Sequence, residues 1–305
     1  MAAQGHKNAP KSLLYTDFSD DAPWKRTVMN HSQYVACTPP AARSPWMAVG
    51  GFALELCYRD WMHNDFLGTA RDHLASLIFD MASEGLLGPG PLESQLKRLS
   101  CQLHAWCWKH RVSVSFKSFT KASLGRPNNE KSVFPEMASY YKASHLKIIA
   151  RFLAEVARRR CTGSLRSKVR VVCIWGLTEA HHIMDSCGVL LIRPEARRLR
   201  GAIYVWLRTY SYLHCRSQIE GTFLYYIRPK HHYCEHAAMD LHPEHRFSLN
   251  PRFTSCWVDE SFLGKCMRIG KRTHASTCSL RILQRYILYI ALRWEKRRRC
   301  GRLVL

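Results

Sequence analysis

The sequence predicts a helix-rich α+β fold. Three observations carry that expectation. Apolar residues recur at helical spacing in several long windows, only two short runs alternate with period two, and Gly- and Pro-rich stretches punctuate the chain between them. Residues 1–44, broken by Pro10, Pro23, Pro39 and Pro40 around the acids Asp17, Asp20 and Asp21, are expected to form an irregular N-terminal arm. Residues 45–305 are expected to form a single helix-rich domain, with a sub-division near 136.

The elements follow in order. Phe52, Leu54 and Leu56 alternate with Ala53, Glu55 and Cys57, a strand pattern ending at Arg59 and Asp60. A helix then begins near Asn64 or Asp65, with Phe66, Leu67, Ala70, Leu74, Leu77, Ile78 and Met81 on one face, and stops at Gly85–Gly90. Leu92–His110 reads as helix and Val112, Val114 and Phe116 as a second short strand. After a Lys-, Gly-, Pro- and Asn-rich loop at 120–135 come helices at about 139–160, 168–186 and 194–216, the last two divided by Pro194. Pro229–His236 is a compact motif and Leu241–Phe253 a loop. The final helix covers about 277–299, its seam formed by Leu280, Leu283, Ile287, Ile290 and Trp294 with Arg281, Arg285 and Arg293 off it, and Tyr286–Leu292 is read as core.

Composition narrows the partner. Lys and Arg number 46 against 23 Asp and Glu, a formal charge of +23, in a chain that is 47% hydrophobic. A folding sequence with so large a cationic excess calls for an anionic counterpart, first a line of nucleic-acid phosphates and second an anionic membrane surface. Met1–Ser12 has no apolar core of the kind a secretory leader carries, and no stretch reaches the roughly 18 apolar residues of a membrane helix. The 13 cysteines contain no Cys-x-x-Cys pair and read as reduced, buried side chains. The expected location is nuclear or otherwise intracellular, with DNA as partner, no membrane, and an oligomer left open.

Three constellations carry chemistry. Asp60-x-x-His63 follows a predicted strand end, where α/β nucleases hold metal. In Lys230-His231-His232-Tyr233-Cys234-Glu235-His236, one helical turn separates His232 from His236, so the two can share a metal. The same residues also spell His-x-x-Glu-His, the inverted zinc-peptidase order with Glu235 as general base. Asp259 and Glu260 enter a segment rich in cations and are either ion-paired surface or a late carboxylate of a metal site. Lys230, His232, Lys265, Arg268, Lys271, Arg272, Arg297, Arg298 and Arg299 are the candidate nucleic-acid contacts, because guanidinium and ammonium groups neutralise phosphate.

Placed in order, these pieces resemble a known family. Ser44-Pro45-Trp46 through Gly51-Phe52, then Asp60-x-x-His63 and Leu67-Gly68, is similar to a recurring block of eukaryotic cut-and-paste transposases. Pro229-Lys230-x-His232-x-x-x-His236, Asn250-Pro251 and Asp259-Glu260-Ser261-Phe262 resemble the block that closes their RNase-H-like catalytic domain. Leu14–Asp17, Ala22-Pro23-Trp24 and Lys142-Ala143 are similar to mobile-element-like proteins of unicellular algae. The resemblance implies a partial RNase-H-like core with few strands and a large helical portion. It also implies Asp60 and Glu260 as catalytic acids, with Asp60, His63, Asp259 and Glu260 around Mg²⁺. The family's first catalytic acid has no counterpart here, so the implied function is a transposase-derived DNA-binding protein with weak or no catalysis. An active Mg²⁺-dependent transposase or nuclease using Asp60 and Glu260, and a zinc metallopeptidase using His232, Glu235 and His236, are the alternatives.

Overall fold

The computed structural model describes residues 15–299 apart from 129, 131 and 243, and the side chains of 257–261, 296 and 297 lie outside the described set. Helix dominates it. Two compact units divide the chain, Met1–Thr254 and Ser255–Leu305.

The first unit is built around α2 (Ala70–Ser83), which continues a π-helical segment over Met62–Thr69. Asp60 starts it: its Oδ1 accepts from the Met62 N–H at 2.9 Å and its carbonyl accepts from the Asn64 N–H. Thus the helix begins a turn earlier than the sequence pattern suggests, because an aspartate cap four residues upstream satisfies the first orphan donors. Leu74, Ala75, Leu77, Ile78 and Met81 are completely buried, and so are the polar residues of the opposite face. α4 (Ala143–Arg159) packs on α2 and on the π-helical segment, which also meets α7 (Pro229–Asp240); α5 (Leu165–Ser186) packs between α4 and α6 (Arg193–Ile219), α6 meets α7, and α3 (Leu92–Lys109) lies against α4. Pro194 lies in the first turn of α6, where its missing N–H costs nothing, and Glu195 reaches back to the Ile192 N–H at 3.0 Å. The antiparallel α5–α6 hairpin is the most extensive helix pair. Gly176 lets it close, since a Cβ there would sit 2.9 Å from the Trp206 backbone nitrogen and 3.0 Å from the Ala202 carbonyl oxygen.

Among the described residues the only sheet is a two-stranded antiparallel ribbon, β1 (Leu190–Ile192) against β2 (Phe247–Leu249), with Leu191 opposite Ser248. Two expected strands are therefore corrected. Residues 52–57 form a 3₁₀ turn over Leu54–Leu56, and Leu56 is 55% exposed. Val112, Val114 and Phe116 turn inward in alternation, yet their backbone joins no ladder. Alternation can signal a strand only when a neighbouring strand supplies the hydrogen bonds, and neither segment has one. The segment 241–253, expected as loop, contains β2. The described part of the N-terminal arm also carries structure: a 3₁₀ turn over Pro23–Thr27, and α1 (His31–Cys37), closed by reciprocal Asn30–Gln33 capping at 2.9 Å each way. Phe18, Ala22 and Trp24 are buried.

The second unit is a helical hairpin, α8 (Trp257–Gly270) followed by a 3₁₀ turn and α9 (Cys278–Arg299). Phe262 packs edge-on against Tyr286 at 4.7 Å, and Gly270 seats Ile282. The expectation that the apolar stripe of α9 is core is overturned: Leu280, Leu283, Ile287 and Trp294 are each more than half exposed. A hairpin offers α9 one partner helix, and α9 turns toward the interior with Cys278, Ile282, Tyr286 and Ile290, leaving the neighbouring stripe to solvent.

Candidate nucleic-acid interface

The cations of the two units are used differently. In the first unit half of the arginines have described carboxylate partners, among them Arg59 with Asp240, Arg71 with Glu136, Arg198 with Glu179, Arg208 with Asp20, and Arg228 with Asp72 and Glu136. In the second, 12 Lys and Arg stand against three Asp and Glu over 51 residues. Its described ion pairs are those of Glu295 with Arg298 and Arg299. Arg268, Lys271, Arg272, Arg281, Arg285 and Arg293 are solvent-exposed and Lys265 half-buried. Lys265 and Arg293 approach the Tyr289 ring at 5.0 and 5.6 Å, which holds two of the charges on one helix side.

Of the sequence-predicted contacts, Lys265 and Arg268 lie on α8, and Lys271 and Arg272 lie in the turn after it. Arg298 and Arg299 lie at the end of α9, tied to Glu295 at 3.0 and 2.9 Å. The Arg297 side chain falls outside the described residues. So do the side chains of Asp259 and Glu260, whose backbone forms the first turn of α8.

Lys230 and His232 lie on α7 in the first unit, with Asp60 and His63 close by. Asp60 Oδ2 bonds His63 Nδ1, and Lys230 donates to the His63 carbonyl at 2.9 Å while its methylenes cross the face of Gly68. Any side chain at position 68 would displace Lys230. Three pieces read separately in the sequence, Asp60-x-x-His63, Leu67-Gly68 and Pro229-Lys230, are therefore neighbours in space. The chemistry of this corner is structural in what it shows: Asp60 caps a helix and orients an imidazole, and Lys230 pins the helix start to α7. Asp60 and His63 supply a carboxylate and an imidazole here, and the side chains of Asp259 and Glu260, the other ligands the resemblance implies, lie outside the described residues.

Further along α7, His232 and His236 bring their Nε2 atoms to 3.0 Å, against the edge of Trp24 at ring distances of 4.3 and 5.3 Å. Glu235 points elsewhere. It is buried and pairs with Lys25 at 3.0 Å, and burial raises its carboxyl to about 7. His232, Glu235 and His236 do not converge as a three-ligand cluster. A peptidase arrangement needs a glutamate aimed at a metal-bound water, and here the glutamate serves a lysine.

Sequence reasoning missed the polar face of α2. Asp65, Thr69, Asp72, His73, Ser76 and Asp80 follow one another at helical spacing and are wholly buried. Asp65 bonds His181 at 2.5 Å, and Asp72 pairs with Arg228 at 2.8 Å while burial drives its carboxyl well up. Ser76 accepts from the Tyr225 N–H at 2.9 Å. Asp80 gathers Arg166, Arg170 and the Tyr225 hydroxyl. His73 has no hydrogen-bond partner on either nitrogen, and burial lowers it to about 3. In sequence this face looks like an ordinary solvated one. The available signal was its complement: Arg166, Arg170, His181 and Arg228 recur at positions that the neighbouring helices and loop turn inward.

Comparison of the chain with protein-family models, with curated proteins and with solved structures found no match. Among the described residues, no helix is long and apolar enough to cross a membrane.

Proposed function

We propose that the protein binds duplex DNA through its C-terminal helical hairpin and that it derives from a cut-and-paste transposase whose catalysis is weak or lost. The observation that carries the reading is the set of cations on α8, α9 and the turn between them that have no described carboxylate partner, while half of the arginines of the first unit have one. Charge left unpaired on an exposed surface costs little in water and is released for phosphate contact, where each neutralised phosphate frees condensed counterions. The motif order supports the ancestry. The RNase-H-like core belongs to this proposal as well, as the part of the ancestral fold from which a helix-rich remnant descends.

The test is fluorescence anisotropy of a labelled duplex against the full chain at 50–200 mM KCl. If all seven cations from Lys265 to Arg293 engaged phosphate, the log–log salt slope would approach about −6 and affinity would fall roughly 10³–10⁴-fold over that range. A slope between about −3 and −6 is expected, reduced by about three for Arg268→Glu combined with Lys271→Glu and Arg272→Glu. A salt-independent signal, or a triple variant that binds as wild type does, refutes the assignment. Mg²⁺-dependent cleavage of the same duplex, abolished by Asp60→Ala and by Glu260→Ala, would replace it with the active-nuclease reading.

A further inference from the structure

We propose that His232 and His236 form a chelating site for a divalent transition-metal ion, held through both Nε2 atoms. The argument begins with spacing. Residues four apart on a helix project side by side, and α7 runs regularly from Pro229 to Asp240. The two Nε2 atoms are 3.0 Å apart. Two nitrogens each about 2.0–2.1 Å from one ion in a tetrahedral or square arrangement lie roughly 3 Å apart, so the pair is already at chelating separation.

The surroundings hold that geometry. Trp24 is buried, anchored by donating its indole N–H to the Asp17 carbonyl at 2.9 Å, and it abuts both imidazoles edge to face. The Glu235 carboxylate lies 3.9 Å from His232 Nδ1, on the ring side away from the shared face. That separation is longer than a hydrogen bond, so the carboxylate adds negative charge near the pair without fixing the His232 tautomer. Both rings remain partly open to solvent, so water can complete the shell and an ion can enter.

Charge does not forbid the ion. Lys25 and Arg59 are the cations facing the pair, and each has its own carboxylate: Glu235 at 3.0 Å for Lys25, Asp240 at 2.7 Å for Arg59. Burial lowers both imidazoles, His236 to about 4. Imidazole donors without thiolate select Cu²⁺, Ni²⁺ and Zn²⁺ in the Irving–Williams order.

Comparison of variants isolates the site experimentally. Ni²⁺ titrated calorimetrically into the full chain at pH 7 is expected to show a strongest site whose affinity falls at least tenfold in His232→Gln and in His236→Gln, and Cu²⁺ is expected to bind more tightly than Ni²⁺. Far-UV circular dichroism verifies that each variant is folded. Glu235→Gln keeps both ligands and is expected to weaken binding less than either histidine variant. Absence of saturable binding in the wild type, or equal binding by wild type and both folded histidine variants, overturns the proposal. This outcome is independent of DNA affinity.

Discussion

Replacing Asp80 with alanine should destabilise the first unit more than any surface substitution could. Asp80 is wholly buried near the end of α2. Its Oδ1 accepts from Arg166 Nε at 3.0 Å and Nη2 at 2.6 Å, and its Oδ2 accepts from Arg170 Nε at 3.0 Å and from the Tyr225 hydroxyl at 2.7 Å. The carboxylate therefore joins α2 to α5 and to the segment after α6. Removing it strands Arg170, whose side chain is 2% exposed, with Glu84 at 2.6 Å as its remaining carboxylate, and it deprives Arg166 of one of three. Breaking a buried pair costs about 3–5 kcal/mol because the surviving charge stays desolvated. Glu84 and Glu220, each 30% exposed on the side chain, compensate in part and place Asp80→Ala near the lower figure. Total stabilities of about 5–15 kcal/mol make that a large share. At about 2–4 °C per kcal/mol for a unit of this size, the melting temperature drops by roughly 6–12 °C. Urea unfolding followed by circular dichroism should show a lower midpoint with an unchanged slope. Combining Asp80→Ala with Arg170→Met should cost less than the two single changes summed, since the second removes the stranded charge. A loss under about 1 kcal/mol for Asp80→Ala, or strict additivity in the double variant, would refute the picture of a coupled buried network.

Other consequences follow from the same core. His73 and His231 are fully buried and each is lowered to about 3, chiefly by desolvation, so both are neutral in the native state. Their stabilising contribution is complete above the unfolded value near 6.5 and is lost as pH falls toward 3, at up to about 1.4 kcal/mol per pH unit for each; urea midpoints at pH 7, 6, 5 and 4 should decline accordingly, and His73→Phe should remove one proton's worth of the decline. Because neither His73 nitrogen has a partner, His73→Phe should also raise stability at pH 7 by about 1 kcal/mol, measured in the same series. Gly176→Ala should destabilise by about 1–3 kcal/mol, read by thermal melting, because the added carbon meets α6 backbone that cannot swing aside.

How much of this was legible in the sequence depends on which forces set each feature. The helices over 92–109, 143–159, 165–186 and 278–299 were readable because local periodicity and punctuation specify them. α8 went unread because Gly264 at its middle and Gly270 at its end weaken the helix signal. Of the candidate site, Lys265, Arg268, Lys271 and Arg272 were legible as a cationic cluster, while the neutralisation of Arg59, Arg71 and Arg228 by acids up to 181 residues away was not.

By itself the sequence determined helical content, the basic excess and the pairing of His232 with His236 on one helical face, all of which follow from composition and from short-range backbone geometry. Only the tertiary structure decided that the α2 polar face is interior, that Lys230 crosses Gly68 to reach His63, and that the stripe of α9 stays in water. Those outcomes depend on which surfaces meet. Burial and charge neutralisation are set by residues far apart in the chain, and no local pattern encodes them.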